Sequence, residues 1–319
     1  MTTNNGVMTD NNFYHKEIKR LLKEKNALLL AHCYQDKAIQ DLADFVGDSL
    51  ELARKAARTE ASIIVFAGVY FMAETAKILN PDKKVLLPDL SAGCSLADHC
   101  QPEEFAGFRA RYPGHQVVSY INTSAGIKAI SDYVCTSSNA EVVIRSIPED
   151  QPLIFAPDKN LGSYLNKITG RNMILWEGSC IVHEAFSLEK LIQLYQKCPE
   201  ARIVVHPESE ASVLRIAHFI GSTSQIRKYI RESKATSFII GTEAGIIHQL
   251  EREASGKEFI PLPSLEDNSC ACSECAFMKL NTVEKLYRCL LDETPEVIID
   301  TTLLEKALLP IRKMLNLSR

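Results

Sequence analysis

The chain reads as an α/β protein built from three copies of one parallel-sheet domain. Three observations lead there. Aliphatic or β-branched runs of four to six residues alternate with helical stretches, the pattern of βα units. The runs recur at a nearly constant spacing, 88 and 86 residues in the first two sets, and the last run of each repeat leads into cysteine.

The first set is ALLLAH (Ala27–His32), QVVSY (Gln116–Tyr120) and RIVVH (Arg202–His206), whose end residues His32, Tyr120 and His206 lie 88 and 86 residues apart. The second begins at Asp44, Asp132 and His218. Its aromatics Phe45, Tyr133 and Phe219 repeat at the same 88 and 86. The third is IIVFAG (63–68), PLIFAPD (152–158) and SFIIGTE (237–243), each followed by a helical stretch. The fourth is KVLLPD (84–89), MILWEG (173–178) and EFIPLP (258–263), leading to Cys94, Cys180 and the Cys270/Cys272/Cys275 cluster. Twelve segments in four ranks of three predict three homologous domains, 1–100, 101–185 and 186–280. This repeat is too long for an ordinary solenoid. The stretch 281–319, with VEKLYRCLLD and TLLEKALLPIRKML, predicts helices that close the assembly.

Composition narrows the function. The chain has 319 residues, 46% of them hydrophobic and 24% charged, enough for an ordinary globular core and against disorder or a coiled coil. The net charge of −4 and the lack of a long basic run give no bulk attraction to nucleic acid or to an acidic membrane. A small-molecule partner is expected instead. The first dozen residues hold no apolar signal-like stretch, and apolar runs such as 27–31 fall far short of the roughly 20 residues of a membrane span, so the expected compartment is the cytosol.

Ligands of parallel α/β sheets bind beyond the carboxyl ends of the strands. Three copies about a pseudo-threefold axis would aim those ends at one centre. The first rank would supply His32 with Tyr34, Tyr120 with Asn122, and His206 with Glu208. The second would supply Ser49, Ser137 with Ser138, and Ser222 with Thr223, small hydroxyls just before helical runs. Taken singly, such hydroxyls are helix N-caps, and the histidines are satisfied interior residues. Taken as ranks, they suit an anion held at converging helix starts without a Gly-rich phosphate loop.

The ten cysteines of a chain in a reducing compartment are mostly core residues, since free cysteine packs as a small hydrophobe. Cys272-x-x-Cys275 by itself is half of a zinc site or a redox pair. A structural zinc site wants a second such pair, and the sequence has none. One cysteine per repeat suits a soft, threefold group such as a cubane iron–sulfur cluster, with one iron left open as a Lewis acid.

HCYQ (32–35), GDSL (47–50), AETAKILNPDKKVLLPDLSAGCSLAD (73–98), YINTSA (120–125), APDKNLG (156–162), WEGSCIVHE (176–184), VVHPE (204–208), GSTSQI (221–226), GTEAGIIHQL (241–250) and CAFMKLNT (275–282) strongly resemble the quinolinate synthase family. The likeness runs from about residue 14 to the end and touches all three repeats. It implies three pseudo-symmetric three-layer α/β/α domains around a [4Fe–4S] cluster with three cysteine ligands and one open iron. It implies condensation of iminoaspartate with dihydroxyacetone phosphate to quinolinate, phosphate and water in de novo NAD biosynthesis. A separate aspartate-oxidising enzyme would supply the iminoaspartate.

Carried onto this chain, the resemblance makes Cys94, Cys180 and Cys275 the cluster ligands. His32, Ser49, Tyr120, Asn122, Ser137, His206, Glu208 and Thr223 would line the substrate pocket. Glu208 is the candidate general base, its pKa tuned for proton abstraction beside His206, with Tyr34 and Tyr120 relaying protons or orienting the carbonyl. Relatives often carry CxxCxxC before the last ligand, whereas this chain has Cys270-Ala-Cys272-Ser-Glu-Cys275. Cys275 is chosen because AFMKLNT follows it directly, and Cys272 is the alternative. The rival reading is a non-catalytic iron–sulfur or zinc protein whose cysteines staple domains or sense redox state. That reading leaves the strand-end His, Tyr, Asn and Glu without a purpose.

Overall fold

A computed structural model describes residues 5–265 and 273–318; Cys270 and Cys272 lie outside them. The chain forms two compact units, Met1–Cys94 with Ala276–Leu304, and Ser95–Cys275 with Glu305–Arg319. The first holds one parallel four-stranded sheet, β1 (Ala27–His32), β2 (Phe45–Gly47), β3 (Ile63–Ala67) and β4 (Lys84–Leu86), in the order β2-β1-β3-β4. The second holds two. One is β5 (Gln116–Tyr120), β6 (Tyr133–Cys135), β7 (Leu153–Ala156) and β8 (Ile174–Leu175), ordered β6-β5-β7-β8. The other is β9 (Arg202–Val205), β10 (Phe219–Ile220), β11 (Ser237–Gly241) and β12 (Glu258–Pro261), ordered β10-β9-β11-β12. The protein is therefore α/β with three parallel sheets of one topology, as the spacing predicts.

The register is also common to all three. Leu30 pairs with Phe45, Val118 with Tyr133 and Val204 with Phe219, an offset of 15 residues each time. Counting two residues on along each first strand reaches His32, Tyr120 and His206, so these three occupy equivalent strand ends. The central strands β3 and β11 are buried at every residue, which explains their unbroken Ile, Val and Phe runs: a parallel sheet covered on both faces has no polar side.

The loop into the second strand is tied in the same way in each sheet. Asp44 Oδ2 accepts the Leu29 N–H at 2.8 Å, and Asp132 Oδ2 accepts the Val117 N–H at 2.8 Å. At the third position His218 Nδ1 accepts the Ile203 N–H at 3.0 Å. Only the unprotonated nitrogen can accept, so this tie titrates. Desolvation, then the Arg202 charge, holds His218 below its ordinary pKa. A lowered folded-state pKa means that the folded form binds fewer protons than the unfolded one. The tie's contribution is therefore present above the ordinary histidine value of about 6.5 and is lost as pH falls through the lower folded value. His218→Asp, the residue of the other two sheets, should flatten the fall in melting temperature between about pH 7 and pH 5. Thermal melts at several pH values measure this, and an unchanged slope would remove the assignment.

In the first and third sheets the helix after the second strand starts at a reciprocal cap. Asp48 accepts the Leu50 and Glu51 N–H groups, and Glu51 answers the Asp48 N–H at 2.9 Å. Ser222 and Gln225 repeat this capping box for helix Thr223–Glu232. In the middle sheet Asn139 Oδ1 takes the Thr136 N–H at 2.6 Å. Ser49 and Thr223 each follow the cap residue, whereas Ser137 stands two residues before Asn139, the N-cap of helix Ala140–Arg145. Of the predicted hydroxyl rank, Ser222 is the capping member, and capping does not account for Ser49, Ser137 or Thr223.

In the first unit, helix Val283–Asp292 buries Leu286, Cys289 and Leu290 in the core that Ile18, Leu21 and Leu22 of helix Asn5–Glu24 share with β1 and β3. The last helix, Thr301–Leu317, carries Pro310 in its interior. Among the described residues, no helix is long and apolar enough to cross a membrane.

Candidate active site

In the first unit, His32 closes β1 and its Nδ1 accepts the backbone N–H of Tyr34 at 3.2 Å. The two rings meet edge-on with centroids 4.4 Å apart. Lys279 Nζ donates to the Tyr34 carbonyl at 3.0 Å. Ser49 and Cys94 are each half-buried.

In the second unit the same local arrangement recurs just past β9, where His206 Nδ1 accepts the Glu208 N–H at 3.4 Å. With Nδ1 occupied as an acceptor, neutral His206 carries its proton on Nε2, 3.2 Å from Ser137 Oγ. Glu208 is buried and collects partners from two other strand ends. Tyr120 Oη donates to Oε1 at 2.5 Å, and His183 Nδ1 lies 3.1 Å from Oε2. His183 Nδ1 is also 3.2 Å from Cys180 Sγ, and its Nε2 lies 3.0 Å from Thr242 Oγ1. The His183 and His206 rings lie side by side, centroids 4.7 Å apart. A continuous polar chain thus runs from the Tyr120 phenol through the Glu208 carboxylate and the His183 imidazole to the Cys180 thiol.

The environment of Glu208 fixes the direction in which its pKa is tuned. Burial acts to raise its pKa, but the His206 and His183 rings, with hydrogen bonds from His183 and Tyr120, outweigh burial and hold it down to about 2. Asp158 is buried nearby and goes the other way. Desolvation first, then the Glu208 charge, raises its carboxyl well above the usual range. Two adjacent carboxyls driven apart in this way divide into a fixed anion and a group that tends to keep its proton.

The predicted residues of the second unit fall into this arrangement to different degrees. Tyr120, Ser137, Cys180, His206 and Glu208 are joined by the contacts above. Asn122 lies two residues past Tyr120, and its Oδ1 is buried with no hydrogen-bond partner among the described residues. Asp158 Oδ2 and Asn160 Nδ2, at the start of helix Lys159–Thr169, and Ser209 Oγ share that condition. Leaving such atoms unmet costs about 1–3 kcal/mol each, so this end of the sheets is built for a polar ligand. Thr223 is buried at its helix start, and Cys275 is half-buried.

Sequence reasoning assigned no role to His183, Thr242, Asp158 or Glu243. His183 had a readable signal. It stands three residues after Cys180 on the short helix Ile181–Glu184, so the two side chains share a face. Donor atoms of Cys180, His183 and Glu208 all lie within 4.8 Å of one another, a group able to hold a metal.

Residues 16–316 match the family model described as Quinolinate synthetase A protein. The quinolinate synthase of Microcystis aeruginosa is 59% identical over 316 residues, covering 99% of this chain and 98% of that protein. The chain belongs to the quinolinate synthase family. The quinolinate synthases of Gloeothece citriformis and Nostoc punctiforme are each 58% identical, covering 95% and 94% of this chain and 93% and 92% of theirs. Membership makes the chain an enzyme and sets its cysteines against a family chemistry.

In this quinolinate synthase family member the described cysteines divide by environment. Cys33, Cys100, Cys135 and Cys289 are fully buried. Desolvation pushes the thiols of Cys100 and Cys289 up to about 12 and that of Cys135 higher still, so these stay protonated packing groups. Cys198 packs against the β9–β12 core. Cys94, Cys180 and Cys275 are half-buried, and Cys180 has an imidazole nitrogen at its sulfur. The half-buried thiols are the ones open to coordination, and Cys180, grouped with His183 and Glu208, is a soft donor that fits the iron–sulfur group the family implies.

Proposed function

We propose that the chain condenses iminoaspartate with dihydroxyacetone phosphate to quinolinate, inorganic phosphate and two molecules of water, a step of de novo NAD biosynthesis carried out in the cytoplasm. The four carbons and nitrogen of the imine join the three carbons of the triose, giving the pyridine ring with its two carboxylates. A separate aspartate-oxidising enzyme supplies the imine. What supports this reading, beside family membership, is the buried chain Tyr120–Glu208–His183–Cys180, which links acid–base groups to a thiol.

Cys94, Cys180 and Cys275 would hold a [4Fe–4S] cluster, and its open iron would supply Lewis-acid polarisation of a substrate oxygen. The chain's own residues do the rest. Glu208, fixed as an anion, orients the Tyr120 phenol and the two imidazoles, so that protons leave and return through Tyr120 Oη and His206 Nε2. Asn122 offers its unpartnered Oδ1, and Ser49, Ser137 and Thr223, at helix starts, bind substrate carboxylate or phosphate. His32 and Tyr34 orient the carbonyl. We read the three sheets with their helices as the domains 1–100, 101–185 and 186–280.

Anaerobically purified protein should be brown, contain iron and sulfide, and form quinolinate when given both substrates. Colourless protein with stoichiometric zinc and no turnover would return the site to a structural metal centre.

A further inference from the structure

The register places Ala67, Ala156 and Gly241 at equivalent points on β3, β7 and β11. Two residues further on stand Val69, Asp158 and Glu243. The first repeat thus has an apolar residue where the second and third have buried carboxylates. The Glu243 carboxylate meets the backbone of a cysteine loop.

Glu243 Oε1 accepts the N–H of Cys275 at 3.1 Å, and Oε2 accepts the N–H of Gly245 at 2.7 Å. The same short segment is tied twice more, by the Ala244 N–H to the Ser273 carbonyl at 2.8 Å and by Ser273 Oγ to the Leu262 carbonyl at 2.7 Å. Asp158 Oδ1 caps helix Lys159–Thr169 by accepting the Leu161 N–H at 2.7 Å, and the Asp158 backbone pairs in parallel with Gly178, two residues before Cys180. The Cys180 loop is also held where the Lys159 N–H donates to the Gly178 carbonyl at 2.8 Å. In the first repeat the corresponding tie is backbone to backbone, from the Tyr70 N–H to the Ala92 carbonyl at 2.7 Å, two residues before Cys94.

We propose that Glu243 is a positioning residue that fixes the backbone of Cys275 and so aims its thiolate before any metal group arrives. The inference rests on the proposed reading that this thiolate binds an iron–sulfur cluster. Both oxygens of Glu243 are acceptors with separate N–H donors. A carboxylate satisfies both, whereas a glutamine must turn its NH₂ towards one of them, donor against donor. Outer partners that orient metal ligands are worth about 10–100-fold in metal affinity.

The test uses the full chain, reconstituted anaerobically with ferrous iron and sulfide. Wild type, Glu243→Gln and Glu243→Asp are compared by circular dichroism, by the rate of iron loss to a chelator, and by the electron paramagnetic resonance spectrum of the reduced protein. Glu243→Gln should keep the wild-type fold, lose iron roughly 10–100-fold faster and show an altered spectrum. Glu243→Asp, with two acceptors but a shorter reach, should lose iron at a rate between the two. Iron retention and a spectrum equal to wild type in folded Glu243→Gln would overturn the proposal. Should Glu243→Gln fail to fold, Glu243→Asp decides in the same sense: faster iron loss supports the proposal, and wild-type behaviour overturns it. Wild type that takes up no iron and sulfide would instead sink the cluster reading itself.

Discussion

Cys94→Ala, Cys180→Ala and Cys275→Ala should each yield colourless protein with iron and sulfide near zero and no measurable quinolinate formation. Two remaining thiolates hold a cubane poorly, so loss of any one ligand removes the group rather than weakening it. The fold should survive, because none of the three side chains is part of a buried apolar core. Far-ultraviolet circular dichroism checks this, with melting temperatures within a few degrees of apo wild type. Cys100→Ala and Cys135→Ala should behave in the opposite way. Their thiols are packing groups, so alanine should lower stability by about 1 kcal/mol or somewhat more and leave iron in place. Cys270→Ala and Cys272→Ala should keep iron and sulfide near wild type. Cluster loss in Cys272→Ala together with retention in Cys275→Ala would move the third ligand by three residues. Retention of iron in all of the variants would return every cysteine to the core.

The sequence reveals most where the physics repeats. A parallel strand covered on both faces must be apolar throughout, so each of the three sheets announces itself as a run such as IIVF, LIFA or FIIG, and the constant spacing ties the runs into one topology. His32, Tyr120 and His206 are legible for the same reason: they interrupt an apolar run at one register position. What stays hidden is the interaction between repeats two and three. The ranks aim Tyr120 and Glu208 at one centre, but neither the phenol's bond to that carboxylate nor the approach of His183 to Thr242, 59 residues on, follows from spacing, because those contacts depend on how loops from different strands turn. The direction of the Glu208 pKa is hidden for a related reason. From sequence it is a carboxylate beside one histidine, and the second histidine and the phenol, which decide its charge, come from elsewhere in the chain. Glu243 and Asp158 stand in plain view at the ends of SFIIGTE and PLIFAPD, but two acidic residues past a strand also read as ordinary helix-start residues.

Glu208→Gln should leave iron content and fold close to wild type while kcat falls by roughly 10²-fold or more, the scale of lost acid–base assistance. The substitution keeps volume and shape but changes what the buried position offers. Glu208 accepts from the Tyr120 hydroxyl and from His183 Nδ1, one on each oxygen. An amide has one acceptor oxygen, so either the phenol or the imidazole must meet an NH₂ group and rotate or change tautomer. The anion that stabilises a protonated imidazole is also gone, which removes its favourable charge partner inside a buried site. If these groups move protons in the reaction, the loss falls on kcat, and KM for dihydroxyacetone phosphate changes by less than about threefold. The pH profile adds a second check. With the pKa of Glu208 held down to about 2, its own ionisation puts no limb in the wild-type profile above about pH 5, so a limb in that range belongs to another group and should persist in Glu208→Gln. A variant with full turnover, or one whose loss falls on KM alone, would make Glu208 a substrate-binding or packing residue instead.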